Sequence, residues 1–397
     1  MNATDLQPVQ DNQRIHLLDI LRGWALLGVA LMNYRDFYFF GYGTVTIPTD
    51  RAAPVVQTIC NLVFSAKSWT LLSFLFGYGF SVLMARLAKK SVHPVAFFSR
   101  RMFWLLILSV VNSAFFFGDI LKDYAVLGMV LLVFYRSSAR TAFILSILLF
   151  LLAPVVTAWV MTIKTNPAPL PYVLYASHSL FNVLWFGFVG TVRTQVIDLF
   201  YAIAVHQVML CCFFLGMAAQ RVDFFQRVGS DKRLLKRIWW ASLITLTVLY
   251  AGLFLLKHFD VRQVFVYFNP LYWIVLLSML FIASSLCRLY LAGMLKRFFA
   301  ALQVVGKMTL TNYMMQNLIG LFLFSGFGLG LGYTHKLVVE YYLALALLVY
   351  IAQVWFSRWW LSKYHFGPME WVWRQLSYRK KIEIKKVLPA SPTPGIS

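Results

Sequence analysis

Residues 141–163 read TAFILSILLFLLAPVVTAWVMTI and contain no charged side chain. A helix of this length is about 35 Å long at ~1.5 Å per residue, enough to cross the ~30 Å hydrocarbon layer of a bilayer. The whole chain has the same character, because 60% of its 397 residues are hydrophobic and only 13% are charged. Soluble domains contain roughly 45–50% apolar and about 25% charged residues. The sequence therefore predicts an all-α integral membrane protein.

Ten apolar segments, including this one, are long enough or nearly long enough to span the membrane. They lie at residues 17–34, 62–85, 102–118, 124–135, 141–163, 199–219, 238–256, 270–289, 310–327 and 337–356. The fourth segment has only 12 residues and is predicted to begin within the preceding turn at residues 119–123. The expected fold is a polytopic bundle of about ten transmembrane helices.

The distribution of positive charge sets the orientation of this bundle. With the N-terminus inside, 27 of the 36 Lys and Arg residues fall on the cytoplasmic side, and the other nine fall on the outer side. Cytoplasmic loops of membrane proteins are enriched in Lys and Arg in this way, so both termini are predicted to be cytoplasmic. The net charge of +22 has the same explanation. Because no basic stripe is interleaved with soluble structure, nucleic acid is not an expected partner.

The chain divides into five parts. Residues 1–16 form a cytoplasmic N-terminal segment without the features of a signal peptide, and residues 17–163 form a first half with about five helices. Residues 164–198 form an outer loop in which 172–189 has the character of an interfacial helix. Residues 199–374 form a second half of about five helices that ends in the segment GPMEWVWR, and 375–397 form a tail that is first basic and then disordered.

Neither the cysteines nor the histidines have the spacing of a metal site. The four cysteines lie in or beside apolar stretches, and the seven histidines are scattered. No metal is expected, and no cofactor motif is evident. Any function must therefore be sought among the polar residues that lie at membrane depth, each of which needs a partner or a role.

The first predicted helix carries three such residues. Asp19 and Arg22 are three residues apart and share a face near the cytoplasmic end. They form either a local ion pair or, with Arg22 facing a polar cavity, a site for an anionic group such as phosphate. Asn33 follows Arg22 on the same face after eleven residues, about 16 Å along the helix at ~1.5 Å per residue. Asn112 lies on the third predicted helix. Both Asn33 and Asn112 are candidates either for lining a cavity or for hydrogen bonds between helices.

Three titratable residues are the candidates for acid–base chemistry. Asp119 and Asp123 are four residues apart, before and at the start of the fourth helix. They suit either general acid–base catalysis or the capping of that helix. His206 lies in the sixth helix, where it is either a packing residue or a catalytic residue.

The ninth predicted helix has a polar face. Asn312 and Gln316 are four residues apart and lie on the same side of the helix, next to Thr311 and Asn317. A polar face at this depth must meet another polar face or water. It therefore favours an interior cavity over a solid apolar bundle.

Three segments of the chain together resemble the YeiB family of bacterial inner-membrane proteins, a family of unassigned function. The first is LDILRGWALLG at 18–28, which continues to Asn33. The second is LFGYGF at 75–80, with GDIL at 118–121 and YAVLG at 124–128. The third is GKMTLTNY at 306–313, with GPMEWVWR at 367–374. The resemblance spans residues 18–374 and implies multi-pass insertion in the bacterial inner (plasma) membrane.

That family is in turn distantly similar to membrane-bound acyltransferases, which carry acyl groups from the cytoplasm to an acceptor on the outer face. This similarity implies the membrane acyltransferase fold, acyl-CoA as the donor, and Arg22 as the residue that binds it. Those enzymes have an essential His eleven residues after the Arg, where this chain has Asn33. An amide cannot act as a general base, so transfer here would require Asp119, Asp123 or His206.

Three hypotheses follow from these residues. The first is an acyltransferase-like enzyme with a cytosolic donor and an outer acceptor. The second is a transporter or exporter of a small polar or lipid-like molecule, which uses the same interior without covalent chemistry. The third is a structural or lipid-binding protein. In each case the expected partners are membrane lipids and a small-molecule substrate. The fold resemblance favours the first hypothesis, and the absence of the usual base favours the other two.

Overall fold

A computed structural model describes residues 15–40, 54–89, 93–163, 170–259, 261, 263–332 and 339–386. The first 14 residues lie outside these ranges, and so do residues 387–397, which include the part of the tail predicted to be disordered, 388–397. In the described ranges the elements are helices, namely α1 His16–Phe40, α2 Pro54–Val63, α3 Lys67–Lys89, α4 Pro94–Phe115, α5 Leu121–Val133, α6 Ala139–Thr162, α7 Tyr172–Tyr175, α8 Leu180–Thr191, α9 His206–Arg221, α10 Phe224–Ser230, α11 Lys232–His258, α12 Val264–Tyr267, α13 Leu271–Leu291, α14 Lys296–Lys307, α15 Thr309–Phe324, α16 Val339–Lys363 and α17 Pro368–Tyr378. Two π-helical turns, Val192–Ile197 and Phe200–Val205, precede α9.

Within the described residues, nine helical segments are long and apolar enough to cross a membrane. Eight of them coincide with predicted spans, and the ninth, Leu180–Ile197, falls in the predicted outer loop. The all-helical, polytopic character of the prediction is confirmed. The two predicted spans outside this set are α5, with 13 residues, and α15, with 16 residues. At ~1.5 Å per residue these helices are about 20 and 24 Å long, shorter than the hydrocarbon layer.

The bundle has a buried centre and an apolar exterior. Of the residues in the most apolar stretch of α1, 89% are buried, against 11% for α11. The outward faces of the helices carry large exposed apolar side chains such as Leu148, Val248 and Trp355. Contiguous exposure of this kind suits contact with lipid. α1 is therefore the central helix, packed against α3, α14 and α16, whereas α11 and α13 form a peripheral pair.

Glycines bring several helix backbones into close contact. A Cβ atom on Gly23 of α1 would lie 2.0 Å from the carbonyl oxygen of Leu302 on α14, and one on Gly306 would lie 1.8 Å from that of Asp19. A Cβ atom on Gly216 of α9 would lie 2.0 Å from the carbonyl oxygen of Phe74 on α3. Small residues allow helices to approach closely in membranes, where dispersion replaces the hydrophobic effect as the main attraction. The glycines thus fix α14 on α1, and α9 on α3.

For convenience we call the end of the bundle where α1 and α4 begin the predicted cytoplasmic end, and the end where they finish the predicted outer end. The predicted interfacial segment lies at the latter. There α8 crosses the end of α4, with Gly187 against the carbonyl of Ala114, and the Thr191 hydroxyl donates to the Phe117 carbonyl at 3.2 Å.

The glycine-rich segment 326–332, at the predicted outer end, has a defined path in the structure. It folds back along the last turn of α15, where the Leu329 amide donates to the Phe322 carbonyl at 2.9 Å, and the Gly332 amide to the Phe324 carbonyl at 3.0 Å. A Cβ on Gly326 would lie 2.0 Å from the carbonyl oxygen of Ala176. The close approach of backbones, rather than flexibility, therefore accounts for the glycine at residue 326.

Candidate functional site

The candidate site forms where the start of α5 meets the start of α9. Asp123 lies in the first turn of α5, because the helix begins at Leu121, within the turn as predicted from the sequence. His206 is the first residue of α9, directly after a π-helical turn that holds Tyr201. We call the four side chains that meet here, Lys122, Asp123, Tyr201 and His206, the Asp123 cluster.

Three side chains converge on the carboxyl group of this cluster. Lys122 Nζ lies 2.6 Å from Asp123 Oδ1, and the Tyr201 hydroxyl donates to Oδ2 at 2.6 Å. His206 Nε2 lies 3.0 Å from Oδ1. The Asp123 side chain is only 3% exposed, whereas that of His206 is 24% exposed. Both oxygens of the Asp123 side chain therefore have hydrogen-bond partners and are buried, whereas His206 is partly exposed.

The hydrogen bonds of His206 locate a proton. Its Nδ1 lies 3.0 Å from the carbonyl oxygen of Ala202, which can only accept, so Nδ1 carries a hydrogen. Nε2 faces Asp123, so either both ring nitrogens are protonated or the carboxyl is protonated and donates to Nε2. In either case His206 and Asp123 together carry one proton more than a neutral imidazole and an ionised carboxylate would carry.

Asp119 lies next to this cluster in the turn between α4 and α5. The Ser109 hydroxyl donates to its Oδ2 at 2.6 Å, and the Asn112 amide donates to its Oδ1 at 2.7 Å. Burial raises the pKa of the Asp119 carboxyl, and the two hydrogen bonds oppose this shift. Asp119 interacts electrostatically with Asp123, which also raises its pKa. The two predicted acid–base carboxyls are therefore neighbours with different partners.

α15 connects Asp119 to α1. The Tyr313 hydroxyl lies beside Asp119 and accepts a hydrogen bond from the Ile120 amide at 3.3 Å. One turn further along α15, Asn317 accepts a hydrogen bond from Asn33 Nδ2 at 2.9 Å. Asn33 thus forms the interhelical hydrogen bond that was one of its two predicted alternatives, and it lies at the edge of the polar region around Asp119.

The predicted polar face of α15 meets a matching face on α16. Gln316 donates to Gln353 Oε1 at 2.7 Å, and Gln353 donates to the Asn312 carbonyl at 2.8 Å. The Asn312 side chain donates to the Ser357 hydroxyl at 3.0 Å. These residues bond helix to helix, so part of the polar face serves packing. Asn312 Oδ1 and Gln316 Oε1 are buried and have no hydrogen-bond partner among the described residues.

Arg22 is remote from the Asp123 cluster. Its Nη1 donates to Asp19 Oδ1 at 2.9 Å, which is the local ion pair predicted as one alternative. The Arg22 side chain is 29% exposed and that of Asp19 is 4% exposed. Arg22 therefore remains accessible at the predicted cytoplasmic end of α1, whereas the Asp123 cluster lies towards the predicted outer end.

Two of the sequence segments that carry the family resemblance meet at the N-terminus of α15. Glu370 of α17 accepts hydrogen bonds from the Leu310 and Thr311 amides, at 2.7 and 3.2 Å, and from the Thr311 hydroxyl at 2.5 Å. The Met369 amide donates to the same hydroxyl at 3.0 Å. A carboxylate at the first turn satisfies free amides and complements the helix dipole. The GPMEWVWR segment thus caps α15.

Among the predicted site residues, the structure brings together Asp123 and His206, with Asp119 and Asn112 adjacent, and it places Arg22 elsewhere. Sequence reasoning did not single out Tyr201, Tyr313 or Glu370. Gln353 and Ser357 were also overlooked, although their i,i+4 spacing on an apolar helix repeats that of Asn312 and Gln316. The described residues contain no group of three His, Cys, Asp or Glu side chains able to hold a metal ion.

Comparison with known proteins shows similarity to proteins of unknown function. Residues 219–380 match a family described as "Protein of unknown function (DUF418)". The chain is 28% identical over 408 residues to "Uncharacterized protein YxaH" of Bacillus subtilis (strain 168). This alignment covers 94% of this chain and 97% of that protein. It is 27% identical over 388 residues to "Uncharacterized protein YeiB" of Escherichia coli (strain K12), which covers 91% and 96%. No solved structure matches the chain.

Proposed function

We propose that this chain, a member of a YeiB-like family of unassigned function, is a membrane acyltransferase. It would move an acyl group from a cytosolic donor to an acceptor at the outer face. One observation carries this proposal. The Asp123 cluster places a buried carboxylate against an imidazole, an ammonium and a phenol, all within 3.0 Å of its oxygens. Such convergence of titratable groups at membrane depth is costly and is typical of functional sites.

The groups of the cluster suit acyl transfer from a thioester to a hydroxyl or amine. The acceptor oxygen or nitrogen forms a bond to the acyl carbon, and the donor C–S bond breaks. The acceptor proton goes to a base, and the base returns it to the departing thiolate. Once the His206–Asp123 pair has released its additional proton, His206 can keep Nδ1 on the Ala202 carbonyl, turn Nε2 from Asp123 to the acceptor and act as this base. Lys122, which has hydrogens beyond the one bonded to Asp123, would stabilise negative charge on the acyl oxygen.

The position of Arg22 suits the anionic part of the donor. Arg22 precedes Asn33 by about 16 Å along α1 at ~1.5 Å per residue, and Asn33 lies at the edge of the polar region around Asp119. A donor held by its phosphates at Arg22 must therefore extend through about half the membrane to deliver its acyl group. The long flexible arm of an acyl-CoA meets this requirement, which supports acyl-CoA as the donor class.

The proposal is tested by binding and turnover with the purified protein. Acetyl-CoA and longer acyl-CoAs should raise its melting temperature, and Arg22→Ala should abolish the shift. Arg358→Ala, which removes an exposed arginine at the same end of the bundle, should retain it. His206→Gln and Asp123→Asn should keep donor binding and lose acyl product on lipid or glycan acceptors by at least about 100-fold. No melting shift and no acyl product with any acceptor would overturn the proposal.

A second function, transport coupled to protons, is favoured by a specific observation. Both ring nitrogens of His206 are engaged, Nδ1 with Ala202 and Nε2 with Asp123, so neither is free to act as a base in this conformation. A buried His–Asp pair that holds an additional proton is also what a proton-coupled carrier requires. Here the proton would move with the substrate, and no covalent bond would change.

Movement of substrate without acyl donor distinguishes the two functions. In proteoliposomes that lack acyl-CoA, transfer of a fluorescent phosphatidylglycerol between leaflets, driven by a pH gradient and lost in His206→Gln, would support the carrier. An acyl product that forms only with acyl-CoA, with no such movement, would support the enzyme.

A further inference from the structure

A second feature of the molecule, an apolar groove, lies apart from the Asp123 cluster. It has a volume of about 420 Å³ and is lined by apolar side chains of several helices, among them Phe143 of α6, Leu215 of α9, Ile238 of α11 and Met279 of α13. Leu215 lies nine residues after His206, about 14 Å along α9 at ~1.5 Å per residue. The groove therefore occupies the predicted cytoplasmic half of the bundle.

The groove opens to the surroundings of the bundle and reaches inward to its centre. Phe143, which lines it, is 49% exposed, and α11, which also lines it, has the smallest buried share of the nine membrane-capable segments in the described residues. Leu21 of the central helix α1, next to Arg22, lines the groove as well and is 1% exposed. At this depth the surrounding medium is hydrocarbon. An apolar cavity of ~150 Å³ stays dry and holds a molecule as large as benzene, so a groove of about 420 Å³ has room for much of an acyl chain. If the groove were empty, the side chains that line it would have no dispersion contacts on that side.

Positive charge surrounds the mouth of the groove. Arg140, in the first turn of α6, lines the groove itself. The segment 221–237, which joins α9 to α11 and contributes Leu235 to the lining, contains six basic residues and two acidic ones, Asp223 and Asp231. Arg136 lies three residues before the start of α6. This rim complements an anionic group.

Two helix N-termini lie at the same rim. α6 begins at Ala139, which lines the groove, and α11 begins at Lys232, one turn before Leu235. The Ser138 hydroxyl accepts a hydrogen bond from the Thr141 amide at the start of α6, and the Asp231 carboxylate caps the start of α11 with a negative charge. The first turn of α6 therefore favours phosphate more than that of α11 does. Together with Arg140, the start of α6 defines where the headgroup of a lipid would lie if its chain entered the groove.

We propose that this groove binds one acyl chain of an anionic phospholipid of the surrounding membrane, with the lipid phosphate at Arg140 and the N-terminal end of α6. The chain is held by Phe143, Leu215, Ile238 and Met279, and the charge of the rim selects anionic over zwitterionic headgroups. This site is independent of the acyl-transfer and transport proposals, because it shares no residue with the Asp123 cluster.

Photocrosslinking tests the site directly. The protein in nanodiscs is labelled with phosphatidylglycerol or phosphatidylcholine that carries a diazirine in the acyl chain, and the labelled peptides are identified by mass spectrometry. Phosphatidylglycerol should label peptides that contain residues 139–143 and 235–238 in preference to phosphatidylcholine. Arg140→Ala should reduce this preference about fivefold, the effect expected of one arginine at a membrane surface. Arg358→Ala, at the same end of the bundle, should leave it unchanged.

A second variant fills the groove. Ala283→Trp adds bulk to the lining on α13 and should abolish labelling of these peptides, whereas Val155→Trp, on the exposed face of α6, should not. If Ala283→Trp does not fold, the Arg140→Ala comparison at an unchanged melting temperature still decides the question. Equal labelling by both lipids, or labelling that Ala283→Trp leaves intact, would overturn the proposal. Displacement of the lipid by palmitoyl-CoA would overturn it as well, since the groove would then hold the acyl chain of the donor.

Discussion

At the scale of single residues, the Asp123 cluster concentrates charge where the rest of the bundle is apolar. Lys122 and Asp123 are 13% and 3% exposed, and neither could remain ionised there alone without a large desolvation cost. Tyr201 and His206 use the remaining bonding capacity of the carboxylate. The cluster is therefore one unit, in which the removal of any member affects the others.

Asp123→Ala is expected to destabilise the protein by about 3–5 kcal/mol, because it leaves the Lys122 ammonium buried without its partner. The double variant Lys122→Met, Asp123→Leu should regain part of this loss, since no unpaired charge remains. The exposed helix cap Asp231→Ala should cost only about 1 kcal/mol. Thermal unfolding in detergent measures all three. Equal melting temperatures for Asp123→Ala and Asp231→Ala would contradict this account.

Glu370 gives the protein a pH-dependent contact outside the spans. Burial raises its pKa above the ordinary value of 4.5, although hydrogen bonds from Leu310 and Thr311 oppose the shift. The folded state thus binds this proton more tightly than the unfolded state. The contribution of Glu370 to stability is therefore complete below pH 4.5 and is lost as the pH rises through the raised pKa.

Between pH 4.5 and 7.5, the melting temperature of the wild type should consequently fall relative to that of Glu370→Gln, which cannot titrate. Glu383→Gln, an exposed glutamate at the same end of the chain, should follow the wild type at every pH. The measurement is a melting curve for each protein across this pH range. Parallel curves for the wild type and Glu370→Gln would show that the carboxyl has the same pKa in both states.

At the scale of helices, the segments that carry the family resemblance are contact surfaces. Gly23 and Gly306 allow α1 and α14 to touch along their backbones, and the Tyr350 hydroxyl donates to the Gly23 carbonyl at 2.8 Å. Glu370 holds α17 to the start of α15. The resemblance therefore reports shared helix packing, and by itself it names no reaction.

Gly306→Ala should destabilise the bundle by about 3 kcal/mol or more, because its Cβ would lie 1.8 Å from the backbone oxygen of Asp19 and rigid helices cannot easily yield. Gly252→Ala on α11 is the matched control, since nothing lies within 4 Å of its Cβ. It should stabilise the helix by up to ~1 kcal/mol through intrinsic propensity. The folded fraction after extraction, from size-exclusion profiles, distinguishes the two. Similar profiles would contradict the close contact of α1 and α14.

At the scale of the whole molecule, the orientation of the bundle is a separate prediction. The positive-charge bias predicts that residue 173 lies outside and residue 226 inside, with one crossing between them. The segment Leu180–Ile197 is also long and apolar enough to span. If both this segment and Phe200–Arg221 crossed the membrane, the two residues would lie on the same side.

Cysteine labelling resolves this question. The four native cysteines are buried and should react little. Val173→Cys, at a residue that is 84% exposed, should react with an impermeant maleimide in intact cells, and Gln226→Cys should react only after permeabilisation. Labelling of both residues from the same side would show that 180–197 crosses the membrane and that the predicted number of spans is wrong.

The sequence alone determined the class of the protein and most of its helices. The reason is that the length of an apolar segment and the charge of its flanking loops are local properties that govern insertion and orientation in a bilayer. It also identified Asp123 and His206, since any ionisable group at that depth is unusual. Only the tertiary structure decided that these two side chains, 83 residues apart, meet at 3.0 Å, or that Gln316 pairs with Gln353. The physical reason is that an apolar helix face is compatible with many neighbours in lipid. The lateral partners are chosen by backbone fit and by the pairing of polar groups across helices, which the spacing within one helix does not encode.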